Sequence, residues 1–318
     1  MINNQTAVDG THSQALLNQI VMEYLKNQKR KRFWQWTKFT LISLLIVSMI
    51  YWSLTMHSRE IAIRANPHVG LVDVKGTIFD NQSASADNFI KGLDAAYENK
   101  GLKAIIIRID SPGGSPVQGD YMYNAVQYYR KQHPDIKIYA VCVDMCASAA
   151  YYMAAAADEI YANPSSLVGS IGVIYNGFGF VDTLQKLGVT RRLQTAGINK
   201  GFMDQFLPVD PTQQKKLQVM LDVIHQQFIT KVSEGRGKRL HIDDETFSGL
   251  CWTGVQAKER GLIDGLASTG QLVREKIKLE KTVDYTYQPS VMERMAKNIG
   301  AAVADQLPTA LGMRQGIQ

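Results

Sequence analysis

The sequence predicts an α/β domain that follows one membrane-spanning helix. Apolar, β-branched runs of strand length alternate with helical segments, and glycine or serine stands where several of these runs end. Residues 39–56 form an uncharged, mostly apolar run near the start of the chain, which predicts the membrane helix. The alternating part of the chain is about 210 residues long, which is ample for a hydrophobic core.

The apolar run has the flanking residues of a membrane anchor. Lys38 and Arg59 bracket it, and aromatic residues stand near both of its ends, where the membrane interfaces would lie: Trp34, Trp36, Tyr51 and Trp52. Five basic residues between positions 26 and 32 predict a cytoplasmic N-terminus and a domain outside the cytoplasm. A cleaved secretory signal is the alternative. The long hydrophilic leader and the lack of a small-x-small site after the run favour an uncleaved anchor in the lipid bilayer.

Net charge supports this division of the chain. The chain carries a net charge of +6, and residues 1–38 supply four of these charges from six Lys or Arg against two acids. In the remainder the charges alternate in sign, and glycine–aromatic binding motifs are absent. We therefore expect no nucleic-acid partner.

Strands and helices alternate after a linker at residues 58–68. Hydrophobic periodicity predicts strands at 70–74, 104–109, 136–143 and 189–193, and helices at 86–97, 117–130, 147–157 and 211–236. The longest of these helices has apolar residues at helical spacing: Leu217, Met220, Leu221, Ile224 and Phe228. The chain is less regular from Thr282, and residues 291–311 are expected to form an amphipathic helix or a mobile arm. There is no internal repeat.

Ser148 stands among small residues where the strand 136–143 gives way to the alanine-rich helix 147–157. A hydroxyl at such a joint can be presented at the tip of a sheet, and the amides that open the helix point toward an oxyanion formed on attack. The alternative is that Ser148 simply caps the helix, since serine is a favoured N-cap residue. On this segment alone the capping interpretation is the better one.

A second turn follows the strand 104–109, with the sequence Asp-Ser-Pro-Gly-Gly at residues 110–114. Gly113 and Gly114 can take positive φ and let an amide approach a developing negative charge closely. The alternative is an ordinary turn, for which Pro-Gly-Gly is usual chemistry. Ser111 is best interpreted as a turn residue.

Taken together, the motifs resemble the signal peptide peptidase (SppA) family of membrane-anchored serine peptidases. The resemblance spans roughly residues 69–277 and includes the turn 110–114 and the segments Ala147–Tyr152, Ala157–Ala162, Leu167–Val173, Thr195–Lys200, Trp252–Ala257 and Gly261–Asp264. It implies a Clp protease/crotonase-like β-β-α superhelix. Relatives usually carry glycine after the serine, whereas this chain has Ala149 and Ala150.

The resemblance implies a Ser/Lys dyad, with Ser148 as nucleophile and Lys200 as general base. Lysine has an ordinary pKa near 10.4, so Lys200 would need apolar surroundings that favour the neutral amine, for which Phe202, Met203 and Phe206 are candidates. Backbone amides of Gly113, Gly114 and Ala149 would form the oxyanion hole. Ser170 and Gly172 would pair with an extended substrate, although close packing is the favoured interpretation of these small residues.

Other nucleophiles and cofactors have weaker support. None of the six histidines lies in a recognisable Ser-His-Asp framework. The three cysteines are too few and too irregular for a zinc site, and no metal or cofactor is expected. Cys146 as a thiol nucleophile is disfavoured because no basic residue stands near it. Cys142 and Cys146 could form a disulfide in an oxidising compartment, if their geometry allows it.

The resemblance therefore predicts a serine endopeptidase that degrades released signal peptides or similar hydrophobic segments at a bacterial inner (cell) membrane. The expected domains are a cytoplasmic tail (1–38), an anchor (39–57), a linker (58–68), a peptidase domain (69–281) and a C-terminal arm (282–318). Relatives form ring-like oligomers, so a homo-oligomer is expected. The alternatives are a catalytically silent membrane scaffold and a crotonase-type enzyme acting on acyl thioesters.

Overall fold

The chain divides into two compact units, with the boundary between Ile63 and Arg64. The structure, a computed structural model, describes the backbone of residues 5–289 and the side chains of residues 21–24, 26–55 and 65–289. The amphipathic helix or arm predicted at 291–311 lies outside these residues.

A single helix, α1 (Gln5–Ala65), forms the described part of the first unit. Its segment Val21–Thr55 is long and apolar enough to cross a membrane. Large apolar side chains of this segment, including Leu44 and Met49, are exposed rather than buried in a core. By length and composition, α1 thus contains the candidate anchor, and the helix continues through most of the predicted linker.

The second unit is built on a mostly parallel sheet. Its strands are β1 (His68–Lys75), β2 (Leu102–Ser111), β3 (Lys137–Ala147), β4 (Glu159–Ala162), β5 (Leu167–Gly169), β6 (Cys251–Thr253), β7 (Gly265–Leu266) and β8 (Thr282–Asp284). Its helices are α2 (Ala86–Tyr97), α3 (Pro116–Gln132), α4 (Ala149–Ala154), α5 (Val181–Lys186), α6 (Pro211–Arg236), α7 (Gly254–Glu259) and α8 (Thr269–Gln271), which continues as a π-helical turn (Leu272–Ile277). The predicted α/β class is confirmed.

The strand order is β6-β5-β3-β2-β1-β8, and among the strand pairs of the described residues only β5–β6 is antiparallel. The long strand β3 changes partner along its length. It pairs with β4 through Tyr139–Cys142 and with β5 through Met145–Ala147. A bulge in the β2–β3 register lies between these two parts. The far end of β3 is therefore held between β2 and β5, at the edge where Ser148 follows.

Successive side chains of the central strands point to opposite faces of the sheet, and a hydrophobic core lies on each face. Ile105, Ile107 and Ile109 belong to the large core under α2, α3 and α4. Ala104 and Ile106 point to the opposite face, in a smaller cluster with Leu272 and Val273. Both sides of the strands are thus buried, which is why these segments are continuous apolar runs in the sequence.

The two longest predicted helices of this unit are confirmed as α3 and α6, and the strand predicted at 189–193 is wrong. Val189 and Leu193 are exposed and have no strand partner. The apolar face of α6 is buried only toward its C-terminal end, where Phe228 and Val232 enter the core. Met220, nearer its beginning, is 55% exposed.

A buried ion pair attaches the end of α6 to the sheet. The side chain of Arg236 is 0% exposed, and its guanidinium binds both carboxylate oxygens of Asp264, at 2.8 and 3.0 Å. The Arg236 Nε donates to the Gly261 carbonyl, and the Asp264 carboxylate also accepts from the Ile160 amide of β4. This network joins α6, β4 and the loop before β7.

We predict that Asp264→Asn lowers the free energy of unfolding by about 3–5 kcal/mol, because it leaves the buried Arg236 cation without its counter-charge. Urea denaturation of the detergent-solubilised full chain measures this change. Glu234→Gln is the matched control, since Glu234 forms an exposed pair with Lys231, and it should cost less than about 1 kcal/mol. Equal costs for the two variants would contradict a stabilising role for this pair.

The same pair should contribute to acid sensitivity. Burial by itself would raise the pKa of Asp264, but hydrogen bonds from Arg236 and from the Ile160 amide outweigh it and lower that pKa. A lowered pKa means that the stabilisation is complete above the ordinary aspartate value of about 3.9 and is lost as the pH falls through the lower folded value. Below about pH 4, the free energy of unfolding of Asp264→Asn should therefore depend less on pH than that of the unmutated protein, which urea denaturation at a series of pH values measures.

Candidate active site

Ser148 is the single residue between β3 and α4. Its backbone is neither strand nor helix, with φ 54° and ψ −127°. A non-glycine residue held in such a conformation costs about 1–3 kcal/mol, so its surroundings must hold it there. The Ser148 N–H donates to the Gly169 carbonyl of β5 at 2.8 Å, and the Ser148 carbonyl accepts from the Tyr152 amide at 2.9 Å.

The Ser148 side chain does not cap the helix. Two other serines of this chain, Ser85 and Ser115, accept a hydrogen bond from the amide three residues later. Ser148 makes no such bond. The capping interpretation is therefore wrong for this hydroxyl, which instead lines a cavity.

Gly113 packs directly against the Ser148 joint. A Cβ atom at Gly113 would lie 2.6 Å from the Ser148 Cβ and 2.7 Å from the Ala147 carbonyl oxygen. The residue also has φ +96°, which favours glycine. Only a residue without a side chain lets the turn after β2 approach the end of β3 this closely. The Gly113 amide itself donates to Ser111 Oγ at 3.1 Å, so it is engaged within the chain rather than directed at an oxyanion as predicted. Ser111 is the last residue of β2 and pairs with Cys146, so its prediction as a turn residue is wrong.

Two backbone amides stand beside Ser148 and are suited to an oxyanion. Gly114 forms an isolated parallel bridge with Ile78. In this bridge the Ile78 amide donates to the Gly113 carbonyl and the Ser115 amide donates to the Ile78 carbonyl, so the Gly114 amide is not used. Ala149 is the first residue of α4, so its amide has no acceptor within that helix. Because the positive φ falls on Ser148, Ala149 keeps a helical backbone, and alanine is compatible with this position.

A cavity of about 600 Å³ opens at this joint. Its walls come from the turn after β2, the first turns of α3 and α4, the segment after β5, α6 and the segment before β6. The lining residues are Gly114, Pro116, Val117, Asp120, Ser148, Ala149, Tyr152, Ser170, Gly172, Val173, Ile174, Ile224, Gln227, Phe228, Ser248 and Gly249. The predicted residues Ser148, Gly114, Ala149, Ser170 and Gly172 thus share one cavity, and Gly113 lies directly behind it.

Lys200 is not among the residues that line this cavity. It lies in an irregular stretch after α5, is exposed, and its amide donates to the Gly197 carbonyl at 3.0 Å. Phe206, predicted as part of an apolar wall, stacks instead on Phe180 with 5.4 Å between ring centroids. The single chain therefore does not supply the apolar surroundings expected for this amine, and the dyad stays a prediction.

Burial disfavours Cys146, the alternative nucleophile. Cys146 is 0% exposed, and burial, with the neighbouring Cys142 thiol, raises the pKa of Cys146 well above its ordinary value. A neutral, inaccessible thiol cannot attack a substrate. Cys142 and Cys146 are both free thiols in this structure.

Sequence reasoning assigned no role to two of the polar residues of the cavity, Asp120 and Tyr152. Asp120 lies on α3, and the Tyr152 hydroxyl donates to its carboxylate at 2.9 Å. Burial, followed by this hydrogen bond, raises the pKa of Tyr152 above its ordinary value, so the phenol remains a donor. Helical spacing from Pro116 could have placed Asp120 on the face of α3 next to the Gly-Gly turn.

We predict that Gly113→Ala lowers the rate of reaction at Ser148 about a hundredfold or more. The added methyl group would displace the serine or the Ala149 amide, and misplacement by about 1 Å can lower the rate about a hundredfold. Labelling by a fluorophosphonate probe measures the loss. Gly76→Ala is the matched control, because Gly76 also has positive φ (+85°) but nothing lies within 4 Å of its added Cβ. Equal labelling of the two variants would contradict the close contact.

Comparison with known proteins gives two kinds of sequence relative. A protein of Brucella abortus named Na(+)/H(+) antiporter NhaA is 41% identical over 192 residues, which are 59% of this chain and 26% of that protein. The chloroplastic serine protease SPPA of Arabidopsis thaliana is 32% identical over 206 residues, which are 63% of this chain and 29% of that protein. The chain thus spans between a quarter and a third of these relatives' length, and antiporter activity is not carried over to it.

One solved structure and two family models are similar to parts of this chain. The 1510-N membrane-bound stomatin-specific protease aligns with 71% of this chain and 100% of its own, at 16% identity and a TM-score of 0.42. A Clp protease model matches residues 59–168, and a model of peptidase family S49 matches residues 130–284. The overlap of the two models contains Ser148. These matches support the predicted resemblance of the chain to peptidase family S49 and to serine peptidases of the SppA type, on a mixed α/β sheet to which a Clp protease model also matches.

Proposed function

We propose that the protein is a membrane-anchored endopeptidase that cleaves released signal peptides or similar hydrophobic segments through a Ser148/Lys200 dyad. One observation carries the proposal. Ser148 has a strained backbone conformation, its side chain does not cap α4, and it lines a cavity together with Gly114 and Ala149, whose amides could bind an oxyanion. A nucleophile beside amide donors is the arrangement that acyl transfer requires.

The proposed reaction begins with transfer of the Ser148 hydroxyl proton to the neutral Lys200 amine. The serine oxygen then attacks the substrate carbonyl carbon, and the Gly114 and Ala149 amides stabilise the oxyanion. Collapse of the tetrahedral intermediate breaks the peptide bond, and Lys200 returns the proton to the leaving amine. In the second half of the reaction, Lys200 accepts a proton from water as the water oxygen attacks the acyl carbon. The bond to the serine oxygen then breaks, and Lys200 returns the proton to Ser148.

Substrate binding would use both backbone and apolar contacts. Gly114 and the segment Ser170–Gly172 line the cavity on two sides of Ser148, which suits an extended peptide placed between them as an added strand. Val117, Ile224 and Phe228 offer apolar surface for its side chains. An anchor in α1 would keep the peptidase unit at the bilayer, where hydrophobic peptides concentrate. We place that unit outside the cytoplasm, because the basic residues precede the span.

A second copy of the chain would complete the site in this proposal. Large apolar side chains are exposed across the stretch that contains Lys200 and along the first half of α6: Ile174, Phe178, Leu187, Ile198, Val209, Val219, Met220 and Val223. Exposed apolar surface of this extent is typical of protein–protein interfaces. Burial of this surface in a homo-oligomer would bring the Lys200 amine into apolar surroundings next to a serine.

We predict that Ser148→Ala and Lys200→Ala each lower kcat for peptide cleavage by about ten-thousandfold or more, with little change in folding. Cleavage of a hydrophobic fluorogenic peptide by the detergent-solubilised full chain, together with fluorophosphonate labelling, measures this. Lys186→Ala is the matched control, since Lys186 is an exposed lysine in the same part of the chain.

Each alternative has its own outcome in this experiment. A scaffold would show neither cleavage nor labelling in the unmutated protein. A thioester enzyme would cleave acyl thioesters but not peptides. Full activity of Lys200→Ala would exclude Lys200 as the base while leaving Ser148 as the nucleophile.

We predict that Ile198→Asp dissociates the oligomer and lowers activity at least about tenfold, because it places a charge in an apolar interface. Ile198 is 97% exposed in the single chain. Light scattering in detergent measures the mass. Val255→Asp on α7, where Val255 is 44% exposed, is the control. A fully active, monomeric unmutated protein would contradict the oligomer, and recovery of activity on co-expressing Ser148→Ala with Lys200→Ala would show that copies share sites.

A further inference from the structure

One carboxylate faces the cavity that holds Ser148. Asp120 lies on α3, one turn after Pro116 and Val117, and all three residues line the cavity. Most of the other side chains around it are apolar, including Val117, Ile224 and Phe228. Asp120 is half-buried there, so water screens its charge less than it would on an open surface, and a cation in the cavity would be attracted to it.

The hydrogen bonds of Asp120 within the chain are neutral and leave part of its capacity unused. Tyr152 Oη donates to Asp120 Oδ1 at 2.9 Å, and Asn124 Nδ2 donates to Asp120 Oδ2 at 2.9 Å. A carboxylate offers about four lone-pair sites, so about two remain. Among the residues whose side chains the structure describes, no Lys, Arg or His forms an ion pair with Asp120.

Tyr152 orients this carboxylate toward the site. Its ring packs on Phe228 of α6, with 4.9 Å between ring centroids, and on Tyr123 of α3 at 5.7 Å. Both rings are buried, so the phenol that donates to Asp120 is held by packing on two helices. The result is an acceptor held in place in the cavity that Ser148 also lines.

We propose that Asp120 determines specificity, by binding the cationic end of a lysine or arginine side chain on the acyl side of the scissile bond. This inference rests on the proposed peptidase function and deepens it. The methylene stem of such a side chain would pack against Val117 and Phe228, while its ammonium or guanidinium reaches the Asp120 carboxylate. The preferred substrate is then a hydrophobic peptide interrupted by a basic residue, with cleavage directly after that residue.

Peptides that differ at one position test this proposal with the detergent-solubilised full chain. One hydrophobic fluorogenic peptide carries lysine, arginine, norleucine or glutamate immediately before the scissile bond, and kcat/KM is measured for each. The unmutated protein should favour lysine or arginine over norleucine by about ten- to a hundredfold, the range expected for a hydrogen-bonded charge pair.

Asp120→Asn keeps the shape and an acceptor for Tyr152 but removes the charge. We predict that it lowers the lysine-to-norleucine ratio of kcat/KM by about ten- to a hundredfold. Asp120→Lys should shift the preference toward glutamate. Asp144→Asn is the matched control, because Asp144 is an exposed acid four residues before Ser148 that lines a different cavity. Its ratio should match that of the unmutated protein.

The outcomes separate this inference from the proposed function. Cleavage without preference for a basic residue, or an equal loss for all peptides in Asp120→Asn, would overturn the role of Asp120 and leave the peptidase intact. An Asp144→Asn effect as large as that of Asp120→Asn would also overturn it, since general charge would then explain the preference. Absence of cleavage for every peptide, with no Ser148-dependent labelling, would instead overturn the peptidase function.

Discussion

The site depends on the contact between Gly113 and Ser148. One residue belongs to the turn after β2 and the other to the joint after β3, and no atom larger than hydrogen fits between them. Because the two strands are parallel neighbours, their carboxyl ends meet at the same edge of the sheet. The proposed nucleophile and the amides proposed for the oxyanion are therefore placed by one backbone contact rather than by flexible side chains.

The change of partner along β3 explains how Ser148 is held in its strained backbone conformation. At its beginning β3 is bordered by β4, but its last residues leave β4 and pair with β5. This places the Gly169 carbonyl where it accepts a hydrogen bond from the Ser148 amide, while the residues of α4 are buried in the large core. About 1–3 kcal/mol of strain at one residue is small beside the burial of two strands and a helix.

Much of this arrangement could be predicted from the sequence. The central strands and α2, α3 and α6 follow from apolar periodicity, and the two turns were recognised because glycine and serine stand at the ends of strands. Residues 189–193 have a strand-like composition, but a strand needs a partner, and the sheet offers none there. The positive φ of Ser148 could not be predicted, because it arises from tertiary packing and propensity assigns such angles to glycine. Asp120 was missed because a charged residue on a helix usually faces solvent.

The two halves of the proposed chemistry differ in what supports them. Ser148 and the amides of Gly114 and Ala149 belong to elements packed on the core, so their geometry is intrinsic to the single chain. Lys200 belongs to an exposed stretch and does not line the cavity, so no packing on the core fixes its amine beside Ser148. In the proposed function a second copy of the chain supplies that packing, and the proposed reaction then depends on assembly as well as on the fold of one chain.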